Sequence, residues 1–285
     1  MSKTSSYRRS LAMERGIIYV VCIILCLMSI LPFAVMFVNA TRDNYSIQQG
    51  MSLIPGDRLL ANLKTLNERQ NFNVLQGMWN SLFIATWTTV LALYFSTLTA
   101  YGLVVYRFRG RQLAFTFIMV VLMIPTQVSM VGFFTFMFKL NLVNTYVPLI
   151  VPAIASPSLV FFMRQYMIAG LPLEIVEAAR IDGSGEFGTF NRIVLPMLKP
   201  ALAVQAIFSF VGAWNNYFVP ALVISSSKKK TLPILIAQLR SADFLKFDLG
   251  QVYMMIFIAI MPVIVVYLFL SKHIVAGVAM GGVKG

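Results

Sequence analysis

Residues 177–200 read EAARIDGSGEFGTFNRIVLPMLKP, a charged and glycine-rich stretch that stands between two long apolar ones. Pro172, just before it, is suited to the first turn of a helix, and Gly183 is suited to the position after a helix ends. Glu186 opens a second short stretch whose apolar residues share one helical face: Phe187, Phe190 and Val194. We therefore predict two short helices joined by a glycine bend, with the second helix stopped by Pro196.

The first of these helices carries charged residues beside small ones. Glu177 and Arg180 are three residues apart, so a local ion pair is predicted between them. Ala178 and Ala179 leave a flat surface that is edged by Glu177 and Asp182. Such a surface is suited to a cleft on another protein, and the alternative is an amphipathic loop at a membrane surface without a partner.

The rest of the chain is strongly apolar. Of its 285 residues, 59% are hydrophobic and 12% are charged, whereas soluble domains have about 45–50% and about 25%. A soluble fold of this length could not bury so much apolar surface, so the composition predicts an all-α polytopic membrane protein. The formal net charge of +13 comes from short basic runs beside apolar stretches, which is typical of orientation signals and argues against nucleic-acid binding.

Six stretches are long and apolar enough to cross a bilayer of about 30 Å. These transmembrane helices are predicted at 17–38, 80–105, 113–138, 146–168, 200–224 and 251–271. Four prolines interrupt the third and fourth spans and predict kinks packed against protein: Pro125, Pro148, Pro152 and Pro157. The polar stretch 39–77 predicts an outer loop with a short helix near 58–70, and the alternative is a solvated connector.

Lysine and arginine residues predict the orientation of the spans. With the N-terminus inside, 13 basic residues fall on the inner side and 10 on the outer side. The short loop with Arg107, Arg109 and Arg111 is the clearest inner segment, because positive charge concentrates in short cytoplasmic loops. We therefore expect both termini in the cytoplasm, and the outer run Lys228–Lys230 is the main departure from this rule.

The opening stretch resembles the EAA motif of ABC importer permeases, in which EAA is followed after three residues by Gly and later by I-x-LP. Here Glu177-Ala178-Ala179 precedes Gly183, and Ile193-Val194-Leu195-Pro196 closes the motif. The WNNYF stretch at 214–218 and the glycine-rich tail 276–285 resemble the second permease subunit of maltose-type systems, in the carbohydrate-uptake branch. The chain thus resembles a type I ABC importer transmembrane domain, a binding-protein-dependent transport system inner membrane component. We refer to residues 172–196 as the EAA segment.

The resemblance implies a permease subunit that transports sugars and has no catalytic residues, metal or cofactor of its own. It implies four kinds of partner: a second homologous permease, two ATP-binding subunits, an extracytoplasmic sugar-binding protein and the lipid bilayer of a bacterial inner membrane. The sequence agrees, since it has no G-x-x-x-x-G-K-[ST] loop for ATP. The residues that match the motif are implied to contact an ATPase subunit: Glu177, Ala178, Ala179, Asp182 and Gly183.

Other parts of the chain carry further expectations from the same resemblance. In maltose-type permeases the outer loop before the last span reaches the binding protein, so Lys228, Lys229 and Lys230 are candidate contacts. Polar residues within spans line a water-filled path or join helices, and the candidates for lining a path are Gln127, Asn215 and Asn216. We expect four divisions: a cytoplasmic arm at 1–16, the first span and outer loop at 17–76, a transmembrane core at 77–271 and a cytoplasmic tail at 272–285.

Two other classes of membrane protein require residues that this sequence lacks. A secondary transporter needs ionisable residues within its spans for coupling, and the apolar cores contain no carboxylate. A membrane enzyme needs a cluster of His, Cys or carboxylate residues, and Cys22 and Cys26 stand in the first span without such neighbours. Within the ABC class, a glycerol phosphodiester or a polyol remains an alternative to a sugar as the transported solute.

Overall fold

The computed structural model describes the backbone of residues 2–68, 72–241 and 247–281, and the side chains of residues 13–68, 72–241 and 247–271. Within these ranges every regular element is helical, which confirms the predicted all-α class. The chain forms two compact units, one from residues 1–70 and 238–258 and the other from residues 71–237 and 259–285. The expected features of the tail side chains lie outside the described residues.

The described residues form fifteen α-helices. The first seven are α1 Ser2–Ala40, α2 Asn44–Gln48, α3 Leu59–Glu68, α4 Val74–Val105, α5 Arg111–Leu122, α6 Thr126–Lys139 and α7 Val147–Ile150. The others are α8 Pro157–Gly170, α9 Leu173–Ile181, α10 Glu186–Thr189, α11 Leu195–Met197, α12 Lys199–Trp214, α13 Phe218–Val223, α14 Leu232–Arg240 and α15 Leu249–Gly281. Three short helices of other types complete the set: 3₁₀-helices at Val151–Ile154 and Ser227–Lys229, and a π-helix at Phe190–Val194.

Four stretches are long and apolar enough to cross a membrane as they stand: Met13–Ala40, Val74–Val105, Val147–Gly170 and Leu249–Ser271. Two bent pairs bring the number to six, namely α5 with α6 at 95° and Glu186–Met197 with α12 at 81°. We treat α12 as the span of the second pair and keep Glu186–Met197 with the charged EAA segment. If each bent pair is counted as one span, the described helices provide up to six candidate spans by length and composition, the number predicted from the sequence.

Three predicted spans are divided into pieces. The breaks in the third and fourth spans confirm the kinks predicted at their prolines, whereas the break in the fifth span was not predicted. The span 113–138 is interrupted at Met123–Pro125 because proline has no N–H and disfavours helical geometry at the residue before it. The span 146–168 consists of α7, a 3₁₀ turn and α8, with prolines at the start of each piece. The span 200–224 is divided at Asn215–Tyr217, between α12 and α13.

Over residues 39–68, the segment predicted as an outer loop is folded, which rules out the alternative of a solvated connector there. The predicted helix near 58–70 is present as α3. Asn62 of α3 is buried and donates from Nδ2 to the carbonyls of Ala40 and Arg42, at 2.9 and 3.1 Å. The backbone of Gly250 also approaches Arg42, so that an added Cβ would lie 2.6 Å from its carbonyl oxygen. These contacts fasten the end of α1 to α3 and to the start of α15 within the first unit.

The second unit is built around α4, which packs against α8 and α12. One face of α4 is lined by small buried residues at steps of three and four: Gly77, Ser81, Ala85, Thr89, Ala92, Ser96 and Ala100. Small side chains let helices approach closely, which is a common basis of helix association in membranes. At Gly77 the approach is closest, because a Cβ there would meet Leu235 Cδ1 at 2.5 Å.

Candidate functional site

The first helix of the EAA segment ends in a glycine motif that the sequence predicted. Gly183 has φ of 80°, a left-handed conformation that glycine adopts without a steric penalty. Its N–H donates to Arg180 O at 3.0 Å, and Ser184 N–H donates to Ala179 O at 2.9 Å. This pair of hydrogen bonds is a Schellman motif, which satisfies the last carbonyls of α9 and turns the chain. The glycine bend is therefore confirmed.

The second helix of the segment differs from its prediction. It does not stop at Pro196, because α10 continues through the π-helix Phe190–Val194 into α11, which contains Pro196. Leu195 N–H reaches back five residues to Phe190 O. This wider turn directly before Pro196 accommodates a residue that has no N–H to donate and would crowd an ordinary α-turn. Of the three apolar residues predicted to share one face, Phe187 is exposed while Phe190 and Val194 are buried.

Arg180 and Glu186 join the two helices of the segment across the glycine bend. Arg180 donates from Nε to Glu186 Oε1 at 2.7 Å and from a terminal nitrogen to Oε2 at 3.1 Å. The hydroxyl of Tyr106, just beyond the end of α4, also donates to Glu186 Oε2. We call Arg180, Glu186 and Tyr106 the clamp. The predicted ion pair of Arg180 with Glu177 is wrong, since the bend brings Glu186 into a two-pronged geometry that Glu177 does not match.

The clamp has an electrostatic consequence for Glu186. The hydrogen bonds from Arg180, and then that from Tyr106, favour the ionised carboxylate and lower the pKa of Glu186 below its ordinary value of 4.5. The guanidinium of Arg180 also lies 5.4 Å from the centre of the Tyr106 ring. Because its members are partly exposed, the clamp is a positioning device more than a large source of stability.

The inner surface of the segment is apolar and packs against α4 and α8. Val176, Phe190, Val194 and Leu198 are buried in one cluster. The cluster continues through the ends of the neighbouring helices with Ala100, Tyr101, Met163, Met167, Leu171 and Ala201. The segment is thus attached to its own unit by a continuous core as well as by the clamp.

The outer surface of the segment carries most of the residues expected to contact an ATPase. Glu177, Ala178, Asp182 and Gly183 are exposed. Ala179 is buried instead, at 5% exposure. It lies three residues after Val176, on the face of α9 that packs inward, so it offers no surface to a partner.

Sequence reasoning missed two apolar side chains on this outer surface. Ile181 is 86% exposed and Phe187 is 66% exposed, on either side of the glycine bend. Exposed apolar groups rimmed by charged residues are typical of sites that another protein covers. The available signal was the position of Ile181 as the last residue of α9, a helix whose inward face is already occupied by Val176 and Ala179.

The lysine run at 228–230 lies in a tightly fastened loop. Asn80 is 2% exposed and donates from Nδ2 to the carbonyls of Lys228 and Lys230, at 2.9 and 2.8 Å. Its Oδ1 accepts from Gln76 Nε2 at 2.9 Å and from the Tyr146 hydroxyl at 2.8 Å. All four hydrogen-bonding positions of the Asn80 amide are therefore used, and we call this arrangement the Asn80 latch.

Asn144 holds the same loop from the other side. Its Oδ1 accepts from the backbone of Ser225 and Ser226 at 3.3 and 3.0 Å, and its carbonyl accepts from Lys229 Nζ at 2.6 Å. The ammonium of Lys229 is thus engaged within the chain. Of the three lysines proposed as binding-protein contacts, Lys228 is exposed and Lys230 is half-buried.

The three residues expected to line a pathway lie at two separate helix breaks. Gln127 is exposed in the first turn of α6, immediately after the proline break. Asn215 is exposed at the end of α12, and Asn216 is half-buried and accepts from Val219 N–H at 3.3 Å. Among the described residues no hydrogen bond joins any of the three to another. What they share is a position at a break between helices.

A pocket of about 720 Å³ lies between α8 and α12 and was not predicted as a site. Its lining consists of four uncharged polar side chains, two exposed aromatic ones and two aliphatic ones: Ser156, Ser158, Gln205, Ser209, Phe162, Phe208, Leu159 and Val204. Phe162 and Phe208 present ring surfaces, while the serines and Gln205 can donate and accept hydrogen bonds. Among the described residues no group of three or more His, Cys, Asp or Glu side chains is placed to hold a metal ion.

A helical chain with up to six candidate spans, and with a charged helix pair packed beside α4 and α8, has the architecture of a polytopic membrane protein. The chain belongs to the family of binding-protein-dependent transport system inner membrane components, which matches residues 97–279. Its fold is that of a type I ABC importer permease. A solved structure described as a bacterial ABC transporter involved in the import of the acidic polysaccharide alginate superposes with a TM-score of 0.77 at 22% identity, over 93% of this chain and 97% of the other.

Several characterised relatives are transport permeases. The arabinooligosaccharides permease AraQ of Bacillus subtilis is 40% identical over 73% of each chain. The lactose permease LacG of Rhizobium radiobacter is 30% identical over 93% of this chain and 95% of its own. The sn-glycerol-3-phosphate permease UgpE of Yersinia pestis is 33% identical over 91% of this chain and 94% of its own.

Proposed function

We propose that the protein is one of two related permease subunits of an ATP-driven importer for a neutral oligosaccharide. Two ATP-binding subunits would bind at the EAA segment, and an extracytoplasmic binding protein would deliver the sugar to the opposite side. The names of AraQ and LacG support a sugar as the solute. The pocket between α8 and α12 supports it independently, because its lining joins hydroxyl, amide and aromatic groups without a charge.

The observation that carries the proposal is the exposed surface of the EAA segment. Ile181 and Phe187 present apolar area beside Glu177 and Asp182, while the opposite face of the segment is buried in its own unit. An apolar centre with a charged rim is the usual composition of a protein interface. The ATPase contact is accordingly assigned to Glu177, Ala178, Ile181, Asp182, Gly183 and Phe187.

The clamp and the core beneath it suggest how this surface transmits movement. A docked segment can move its own unit only if it does not rotate freely on the ends of α4 and α8. Two connections oppose such rotation: the hydrogen bond from the Tyr106 hydroxyl to Glu186, and the buried cluster around Phe190. Closure of the ATPase subunits on ATP would then shift the pathway from inward-facing to outward-facing as a change in the populations of two states.

The orientation follows from the same assignment. If the EAA segment meets ATPase subunits, its side of the membrane is the cytoplasm, and with six spans both termini lie there too. The first span and outer loop at 17–76 and the transmembrane core at 77–271 then lie between a cytoplasmic arm at 1–16 and a cytoplasmic tail at 272–285. Lys228 and Lys230 face the opposite side and are the remaining candidates for contact with a binding protein. Gln127, Asn215 and Asn216 remain candidates for the pathway at its helix breaks.

Co-purification tests the docking surface. We expect Ile181→Asp and Glu177→Lys each to abolish recovery of the ATPase subunits with the permease, because both place unfavourable charge in the contact. Asp57→Lys is the matched control, since Asp57 is exposed in the outer loop and the substitution changes the net charge as Glu177→Lys does. Normal recovery of ATPase subunits with both variants would rule out this surface.

The solute is tested separately, because UgpE supports a second candidate, sn-glycerol 3-phosphate. Proteoliposomes with the complete transporter and its binding protein would be supplied with labelled arabinotriose, lactose or sn-glycerol 3-phosphate. We expect ATP-dependent uptake of a sugar and none of the phosphate ester, and we expect Gln205→Leu to reduce that uptake while assembly is unchanged. Uptake of the phosphate ester alone would replace the sugar proposal by the second candidate.

A further inference from the structure

A second, smaller pocket of about 240 Å³ lies near the EAA segment, at the ends of the helices on which the segment packs. It is formed where α4 ends, α5 begins, and α8 passes into α9. Two of its lining residues are basic, Arg111 and Arg164. The others are apolar: Leu103, Val104, Met167, Ile168, Leu171 and Leu173.

Arg164 is held in place but is not neutralised. Its guanidinium lies 4.0 Å from the centre of the Phe115 ring, which fixes the side chain by a cation–π contact. Its Nε is buried and has no hydrogen-bond acceptor among the described residues. A buried donor without an acceptor is unfavourable unless another group satisfies it.

Arg111 adds a second positive charge to the same pocket. The ion pairs found among the described residues include neither Arg111 nor Arg164. Arg107 and Arg109 are exposed in the turn that precedes α5 and increase the local positive potential. The pocket therefore combines two lining cations, one buried donor and no carboxylate, which is the requirement of an anion site.

The position and the walls of the pocket identify the kind of anion. Arg164 stands six residues before the end of α8 at Gly170, a distance of about 9 Å along a helix, so it lies near the boundary of the hydrocarbon core. Ile168 and Leu173 are 55% and 40% exposed and present apolar surface beside the two arginines. A small soluble anion gains nothing from such walls, whereas a phospholipid can place its phosphate on the arginines and its acyl chains along the apolar rim.

We propose that this pocket binds the headgroup of an anionic phospholipid from the adjacent membrane leaflet. Arg111 and Arg164 donate to the phosphate oxygens, since a guanidinium matches phosphate geometry with two parallel hydrogen bonds. The cavity holds several times the roughly 30 Å³ of one water molecule, which is room for a headgroup but not for the acyl chains. The site includes Leu173 of the EAA segment but none of the residues assigned to the ATPase contact, so it can be tested independently of the proposed docking.

Native mass spectrometry of the transporter complex tests the proposal, with phosphatidylglycerol and phosphatidylcholine as probes. We expect retained phosphatidylglycerol on the wild type, and about tenfold weaker binding in Arg111→Gln and in Arg164→Gln, since each loses a charge-assisted contact. Arg109→Gln is the matched control, because it removes the same charge from the neighbouring turn without lining the pocket, and we expect less than about a twofold change.

The other outcomes each overturn the proposal. Equal binding of the two lipids, or unchanged phosphatidylglycerol binding in both pocket variants, excludes a specific headgroup site. Thermal protection by millimolar inorganic phosphate, lost in Arg111→Gln and unmatched by lipid, would identify a soluble anion site. Loss of ATPase co-purification in Arg111→Gln without any change in lipid binding would assign the pocket to a protein partner. Arg111→Gln keeps the Arg164–Phe115 contact, so the test remains valid if Arg164→Gln does not fold.

Discussion

The Asn80 latch predicts how much its hydrogen bonds stabilise the closed form of the loop that carries Lys228–Lys230. Asn80→Ala removes four hydrogen bonds, two to the carbonyls of Lys228 and Lys230 and two from Tyr146 and Gln76. Each hydrogen bond contributes about 1 kcal/mol to stability, so the four together contribute about 4 kcal/mol before any replacement by water is considered. Gln76 and Lys228 are exposed and Lys230 is half-buried, so their groups regain hydrogen bonds with water. We therefore expect Asn80→Ala to lower the free energy that keeps the loop closed by about 2 kcal/mol.

Trypsin measures this cost directly, because the latched loop contains three consecutive cleavage sites at Lys228–Lys230. When opening is fast compared with cleavage, the cleavage rate follows the population of the open loop. A cost of about 2 kcal/mol then corresponds to about thirtyfold faster cleavage in the Asn80→Ala variant of the purified complex. Asn80→Asp should be cleaved at least as fast, because a carboxylate would face the two lysine carbonyls in place of the amide donor.

Gln76→Ala is the control for this experiment. It removes one of the four hydrogen bonds from an exposed side chain, and we expect less than about fivefold faster cleavage. If Asn80→Ala and Asn80→Asp are both cleaved within about threefold of the wild-type rate, the latch does not control loop opening and the argument from buried hydrogen bonds fails here.

Two further predictions concern the EAA segment and use thermal unfolding of the purified complex. Gly183→Ala should destabilise by about 1–2 kcal/mol because an alanine is strained at φ of 80°, whereas Gly185→Ala, at φ of −65°, should have little effect; equal effects would contradict the glycine argument. The ionised carboxylate of Glu186 stabilises the folded protein, so the difference in stability between the wild type and Glu186→Gln should be constant above about pH 5. This difference should shrink below the ordinary pKa of 4.5, as the pH falls through the lowered pKa of Glu186 in the folded protein. A difference that stays the same down to pH 3 would show that the clamp does not depend on the ionised carboxylate.

Much of the EAA segment could be predicted because its signals are local. A glycine at the end of a helix is required by the backbone of the next few residues alone, and Gly183 was placed correctly for this reason. The same holds for α3, for the number of spans and for the proline at each kink, since apolar length and the missing N–H are properties of neighbouring residues.

The sequence predictions differ from the structure where the contacts of a residue depend on parts of the chain that are distant in the sequence. Arg180 had Glu177 nearby in the sequence, yet the glycine bend offers it the carboxylate of Glu186 together with the hydroxyl of Tyr106. Ala179 was expected at the surface, but the inward face of α9 includes it. Lys229 was expected to face a partner, and its ammonium is instead bound to the carbonyl of Asn144, 85 residues away.

The sequence by itself determined the class of protein, the spans and the motif that identifies its family, because apolar runs and a motif of fixed spacing are properties of the chain alone. The tertiary structure alone decided which face of the EAA segment is free, why Asn80 is buried within a span, and that Arg111 and Arg164 share one pocket. The physical reason is that exposure and hydrogen bonding depend on residues far apart in the chain, such as Asn80 and Lys230, that only the packed fold brings together.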